Sequence, residues 1–300
     1  NREFFRLVAM QCASLDRLSP DRIGAADKLV RYLQHSLELS LEPREGSQFS
    51  IDLETLAAPQ RCLTVPEDVP GSTRYFRPGD VVPMLGELRQ TLAEGNLGPV
   101  FAGIGASSVT GAIRHLSRQW GPVPPMRQYR RHAVRGELAL ATGLGFIRTL
   151  ISGEAQIRPA AAWMLCDASR SGFGVASPVM DPEICRVGVL VGAHLGEVGR
   201  WVLALVRRVR SSEQGGTAVG LQTISNEPVP VLLDDGSRSW SGILCDPVVR
   251  GRGLRIACEP GAMRSTRPVF AKLGGRMVKL QPGRAVVSGP GYQIVECTLL

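Results

Sequence analysis

The sequence predicts an α+β protein in which helices come first and strands follow. Three observations predict this. Helical periodicity and helix punctuation run through residues 1 to about 120. The stiff segment Gly121-Pro122-Val123-Pro124-Pro125 then ends any helix, because proline disfavours helical backbone before it and extends the chain. Beyond it, short apolar runs separated by Gly, Pro, Asp and Ser recur roughly every 8–12 residues, the rhythm of a small antiparallel barrel or sandwich. The expected parts are a mostly helical N-terminal domain at 1–122, a β domain at 126–226 and a C-terminal β-rich region at 227–300.

In the first part, Ser19-Pro20 reads as a helix cap followed by a first-turn proline. Ile23, Ala26, Leu29, Val30, Leu33 and Leu37 then share one helical face. Asp80 reads as the cap of a second helix carrying Leu85, Leu88 and Leu92, closed by Gly95-Asn96. A third helix is expected over 107–119, with Val109, Ile113, Leu116 and Trp120 in phase. Residues 40–78 are irregular, with short strands expected around 49–53 and 61–65. In the β domain, strands are expected at Glu137–Ala141, Ala161–Cys166, Phe173–Ala176, Arg186–Val191, Trp201–Val209 and Thr217–Thr223. After a break at Asn226-Glu227-Pro228 they resume at Val229–Leu233, Ser241–Leu244, Leu254–Cys258, Val269–Leu273, Arg276–Leu280, Ala285–Ser288 and Tyr292–Thr298. Asp235-Gly236 and Gly274-Gly275 read as hairpin turns. The tail is either a second small β-unit or extra strands extending the first, and no internal sequence repeat links it to the β domain.

The formal net charge is +8, and of 35 basic residues only Lys28, Lys272 and Lys279 are lysine. A GC-rich coding bias explains the general excess of Arg, Gly, Ala and Pro. Local arginine clusters keep their meaning, because the planar guanidinium suits bidentate anion recognition. The seven cysteines are odd in number and show neither a C-x-x-C pair nor a nearby histidine. They read as small buried hydrophobes of a reducing cytoplasm, with no metal site. No apolar run is long enough to span a membrane, and no signal peptide is visible. The chain does not begin with Met, so a preceding segment fits the sequence equally well. No catalytic constellation stands out among the scattered histidines, and a non-enzymatic role is expected. Pro99–Gly105 resembles a dinucleotide-binding turn, but Ser108 stands where the third glycine belongs. Arg207-Arg208-Val209-Arg210 reads as a strand end that could also border a ligand site.

Two motifs carry the most specific chemistry. Arg131-His132-Ala133-Val134-Arg135 is R-x-x-x-R, with Arg130 directly before it. About 30 residues later comes Asp167-Ala168-Ser169-Arg170-Ser171-Gly172, D-x-S-x-x-G. Arginine forks grip phosphate oxygens or the O6/N7 edge of guanine. A carboxylate accepts from the N–H-bearing guanine edge, while a hydroxyl and a glycine let the backbone close in. R-x-x-x-R alone is weak evidence, since Arg2/Arg6, Arg114/Arg118 and Arg127/Arg131 also satisfy it. D-x-S-x-x-G occurs once, and alone it reads as an ordinary turn. The two in this order inside one β-rich block suit a small anionic guanine nucleotide. Arg131/Arg135 is the preferred register, because the Glu137–Ala141 strand follows directly.

Residues 126–226 resemble the PilZ domain, a bacterial receptor module for cyclic di-GMP. The resemblance rests on the two motifs and on the later Gly216-Thr217-Ala218-Val219-Gly220-Leu221. It implies a six-stranded antiparallel PilZ-type β-barrel with the arginine motif at the entry to the first strand. It implies that Arg131 and Arg135 grip phosphate and guanine, that Asp167 and Ser169 take a guanine edge, and that Gly172 permits the turn. The arginine preceding the motif, Arg130, implies a pair of intercalated ligand molecules. A longer connection around Gly143, Gly145 and 151–160 departs from the family's first hairpin. The expected role is a cytoplasmic receptor without cofactor. Ligand would order the Arg127–Arg135 segment and signal to a protein partner in motility, type IV pili or surface attachment. The alternatives are a basic nucleic-acid-binding barrel and a non-binding scaffold. Nucleic acid is not the expected partner, because Phe146, Trp163, Phe173 and Trp201 sit in apolar contexts that suit a core.

Overall fold

The computed structural model describes residues 2–300 except 56, 63–69, 97, 124, 127, 156–162, 197–198, 212–215, 250, 264–266 and 274. The chain forms two compact units, residues 1–128 and 129–300.

The first unit contains helices α1 (Arg2–Cys12), α2 (Pro20–Leu33), α3 (Val81–Ala93) and α4 (Ala106–Gln119). Leu29 and Leu33 of α2 pack with Ile113 and Leu116 of α4 in one core. Ser19 precedes α2 in extended backbone and Pro20 opens it, although the hydroxyl makes no capping hydrogen bond. Asp80 takes the same place before α3, and Gly95 follows that helix with φ +85°. The unit is less purely helical than expected. It also holds a sheet of four antiparallel strands: β1 (Glu38–Ser40), β2 (Phe49–Asp52), β3 (Gln60–Arg61) and β4 (Thr73–Arg77), in the order β1-β4-β2-β3. β4 escaped the sequence reading because Arg74 and Arg77 interrupt a short run whose Tyr75 and Phe76 are buried. Arg77 is ion-paired with Glu38 of the neighbouring strand. The expected strand at 61–65 lies mostly outside the described residues. Pro99–Phe101 is a 3-10 turn rather than a strand, so the dinucleotide-like glycines lack the strand such a site needs.

The second unit contains two closed six-stranded barrels. The first is built from β5 (His132–Thr142), β6 (Trp163–Ser169), β7 (Gly172–Ser177), β8 (Leu190–Leu195), β9 (Arg200–Ser211) and β10 (Thr217–Ser225). Helix α5 (Leu144–Ile151) occupies the long connection after β5. The second is built from β11 (Val229–Asp234), β12 (Ser239–Leu244), β13 (Leu254–Cys258), β14 (Val269–Leu273), β15 (Arg276–Gly289) and β16 (Tyr292–Leu299). The C-terminal region is therefore a barrel of its own. Counting strands within each barrel, the first pairs with the second and fourth, the third with the second and sixth, and the fifth with the fourth and sixth. This pattern is the same in both, and every pair is antiparallel. The chain thus repeats a topology without repeating a recognisable sequence.

Each barrel has its own interior, with Trp163, Val191 and Val206 in the first and Leu233, Ile256 and Val269 in the second. A further core joins them. Ile147 of α5 and Leu203 and Leu205 of β9 pack with Ile243, Tyr292 and Ile294 of the second barrel. β9 is consequently buried on both faces through Val202–Val206, which is why its sequence is a continuous apolar run rather than an alternation. Tyr292 Oη donates to the Gly188 carbonyl at 2.7 Å, and Arg255 Nη2 donates to the Ile224 carbonyl at 3.0 Å.

All seven cysteines are free thiols. Burial pushes Cys245 and Cys297 up to about 12 and Cys258 up to about 11. Cys166 is exposed, whereas Cys12, Cys245, Cys258 and Cys297 are buried. A mass-spectrometric time course with an alkylating agent at mildly alkaline pH should therefore find Cys166 modified first and those four last. Prior modification of any of the four would contradict this packing.

Candidate functional site

The candidate site lies on the outer surface of the first barrel, and two register irregularities create it. Along β6, Trp163 and Leu165 face the core. Strict alternation would send Asp167 inward as well. Instead the β6–β7 register steps by two residues on β6 against one on β7 between Leu165/Val175 and Asp167/Gly174. This bulge restarts the alternation, turning Asp167 outward and packing Ala168 against the core. The β5–β6 pairing slips at the same level, between Ala133/Asp167 and Gly136/Leu165. Arg135 stands inside that slip and is exposed.

Arg131, one residue before β5, reaches Asp167 across the strand pair. Its Nη1 donates to Oδ1 at 2.6 Å and to Oδ2 at 2.8 Å. Both side chains remain about a third exposed, 31% and 32%. Arg130 is exposed beside it. At the end of β6, Ser169 pairs with Gly172 across a two-residue turn, and Ser169 Oγ donates to the Gly172 carbonyl at 3.0 Å. Gly172 is required by close approach, since a Cβ there would stand 2.0 Å from the Leu221 carbonyl oxygen. In the turn, the Arg170 guanidinium lies 5.7 Å from the centre of the Tyr129 ring, a cation–π contact beside the motif.

The fold thus brings Arg131, Asp167, Ser169 and Gly172 onto one face, with Arg130 and Arg135 adjoining along the chain. Arg127, the competing partner in the arginine motif, lies outside the described residues. Among the expected core aromatics, Trp163 and Phe173 are buried. Trp201 is half-buried with its ring centre 5.0 Å from that of His194. Phe146 is a correction: it projects from α5 and is 48% exposed, because Ile147 and Leu150 provide that helix's buried side.

Gly174 was missed in the motif reading, although the spacing Gly172-Phe173-Gly174 is a signal for a bare outer strand face. A Cβ on Gly174 would come within 2.9 Å of Asp167 Oδ1. The absent side chain therefore gives the carboxylate its place. Gly174→Ala is expected to push Asp167 away from Arg131 and to weaken ligand binding by about tenfold, the scale of one good polar contact. Binding isotherms at fixed salt check this, and an unchanged affinity would show that the carboxylate position is immaterial.

Arranged this way, the surface presents a forked cation, an outward carboxylate, a hydroxyl and close-approach backbone on one face. Among the described residues no cluster of His, Cys, Asp and Glu is arranged to hold a metal ion, and no helix is long and apolar enough to cross a membrane. Residues 152–230 match the family model of the middle PilZ domain of the cyclic-di-GMP receptor FimW. The match takes in β6 to β10 and the whole Asp167–Gly172 motif, and it begins beyond Arg131 and Arg135. The first barrel is similar to that domain over these strands. No curated protein matches the chain.

Proposed function

We propose that this chain is a cyclic di-GMP receptor whose site is the outer face of the first barrel around Arg131 and Asp167. The observation that carries the proposal is the bulge that turns Asp167 outward against Arg131, within a segment matching the PilZ domain of a cyclic-di-GMP receptor. Arg131 and Arg135 supply forked donors for phosphate oxygens and the guanine O6/N7 edge. Asp167 accepts from the opposite guanine edge, Ser169 adds a hydroxyl, and Gly172 keeps the backbone close. The receptor works by binding and release, not by catalysis. Ligand transfers Arg131 from Asp167 to itself and so resets the entry to β5. That change of state is read by a protein partner in the cytoplasm, with bacterial motility, type IV pili or surface attachment as the output.

Arg130 sharpens the proposal to two intercalated ligands per site. Stacked dianionic molecules need more positive charge than one, and a guanidinium plane lies well on an exposed guanine face. A calorimetric titration should saturate at two cyclic di-GMP per chain, with affinity falling as salt rises because the charges are screened. Saturation at one ligand would remove the intercalated pair. No binding would remove the receptor. Single-stranded DNA should fail to displace the ligand at moderate salt.

A further inference from the structure

The outer face of the first barrel continues past the two motifs. Cross-strand partners form a row of Ala133, Asp167, Gly174, Gly220 and Arg208 across β5, β6, β7, β10 and β9. The adjacent row runs Ser169, Gly172, Gln222 across β6, β7 and β10. The middle of this surface is thus glycine. Asp167 leans over Gly174 from one side. From the other, Arg208 lies across Gly220, its Cβ 3.2 Å and its Cδ 4.0 Å from the position a Cβ on that glycine would take. Arg207 Nε donates to Gln222 Oε1 at 2.6 Å, which holds it beside the same surface.

A second bulge explains why two consecutive arginines are found there. Gly220 pairs with Arg208, but Leu221 pairs with Val206, leaving Arg207 as the extra residue of β9. In a regular strand one of the two would face the core. With the bulge, Val206 and Val209 pack with the core and both arginines stay outside. β7 and β10 lie between β6 and β9 on this side of the closed barrel, so the path from one charged wall to the other, along the curved outer surface, is three strand spacings, about 14 Å.

We infer that Arg207 and Arg208 are binding residues for the same ligand, forming a cationic wall opposite Arg131 and Asp167 across a floor of Gly172, Gly174 and Gly220. This inference rests on the cyclic di-GMP reading above and extends its site to β9. The far wall receives phosphodiester oxygens that the arginine motif leaves uncovered.

The test is a set of cyclic di-GMP titrations on the full chain, with thermal unfolding recorded for every variant. Arg208→Ala should raise Kd at least tenfold and reduce the salt dependence, and Arg208→Lys should recover part of the loss. Gly220→Val keeps both arginines but fills the floor, and it should weaken binding by a similar factor. Arg200→Ala, at the opposite end of β9, should bind as the wild type does. If Arg131→Ala loses binding while Arg208→Ala and Gly220→Val keep the wild-type Kd, the wall is wrong and the receptor reading stands. If the wild type itself fails to bind, both are wrong.

Discussion

Arg131→Ala is expected to weaken cyclic di-GMP binding by one to two orders of magnitude and to leave folding nearly untouched. The two effects separate because the arginine does different work in the two states. In the free protein it pairs with Asp167, and both side chains are about a third exposed. A pair so open to water contributes roughly 0–1 kcal/mol, less at high salt. The loss should move the unfolding midpoint by a few degrees at most. Against a ligand the same fork is worth about 1–3 kcal/mol, and each 1.4 kcal/mol is about tenfold in affinity. Arg131→Lys keeps the charge but not the fork, so it should fall between wild type and alanine. Calorimetry and thermal unfolding on the same samples decide the matter. A large loss of stability with unchanged affinity would make Arg131 a structural clasp.

The motifs were legible in the sequence because each is short, local and rich in groups that are costly to misplace. Their geometry was not. Nothing in Leu165-Cys166-Asp167-Ala168 announces a bulge, yet that extra residue decides whether Asp167 faces water or the barrel interior. The strands Leu254–Cys258 and Val269–Leu273 were readable at their observed limits from apolar patterning and flanking turns. β15 was split in two because Pro282-Gly283 interrupts it, whereas the structure absorbs the interruption as register shifts against β16. The strand expected at Arg186–Val191 begins later, at Leu190, because Gly188 adopts φ +92° and Asp181 Oδ1 accepts from the backbone N–H groups of Glu183 and Ile184. α5 was missed because its eight residues read as part of a glycine-marked loop. The duplicated topology had no sequence signal. Strand order is set by long-range pairing, and the second barrel carries neither motif. Its Asp246, just after its second strand, accepts from Arg255 at 2.6 and 2.8 Å, with no counterpart of the arginine or D-x-S-x-x-G motif around it.

Leu205→Ala is expected to cost about 2–5 kcal/mol, the price of a cavity that its neighbours fill only partly. Leu205 is fully buried on the outer side of β9, packed in the core that joins the two barrels. The same reasoning predicts that the chain ended after Ser225 will not hold a stable first barrel. The cut would expose Ile147, Leu150, Leu190, Leu203, Leu205 and Ile224, all buried in that joining core. Each apolar side chain returned to water forfeits about 1.5–3 kcal/mol, and the sum reaches the whole stability of an ordinary domain, about 5–15 kcal/mol. Urea unfolding of Leu205→Ala should show a lowered midpoint, and the shortened chain should aggregate or lose its cooperative transition. A shortened chain that unfolds cooperatively at the wild-type midpoint would show the first barrel to be self-sufficient. On the expected outcome, the second barrel has a physical reason to be in this chain without carrying the motifs. It covers the apolar side of β9, whose far end holds Arg207 and Arg208, and so keeps that strand in place.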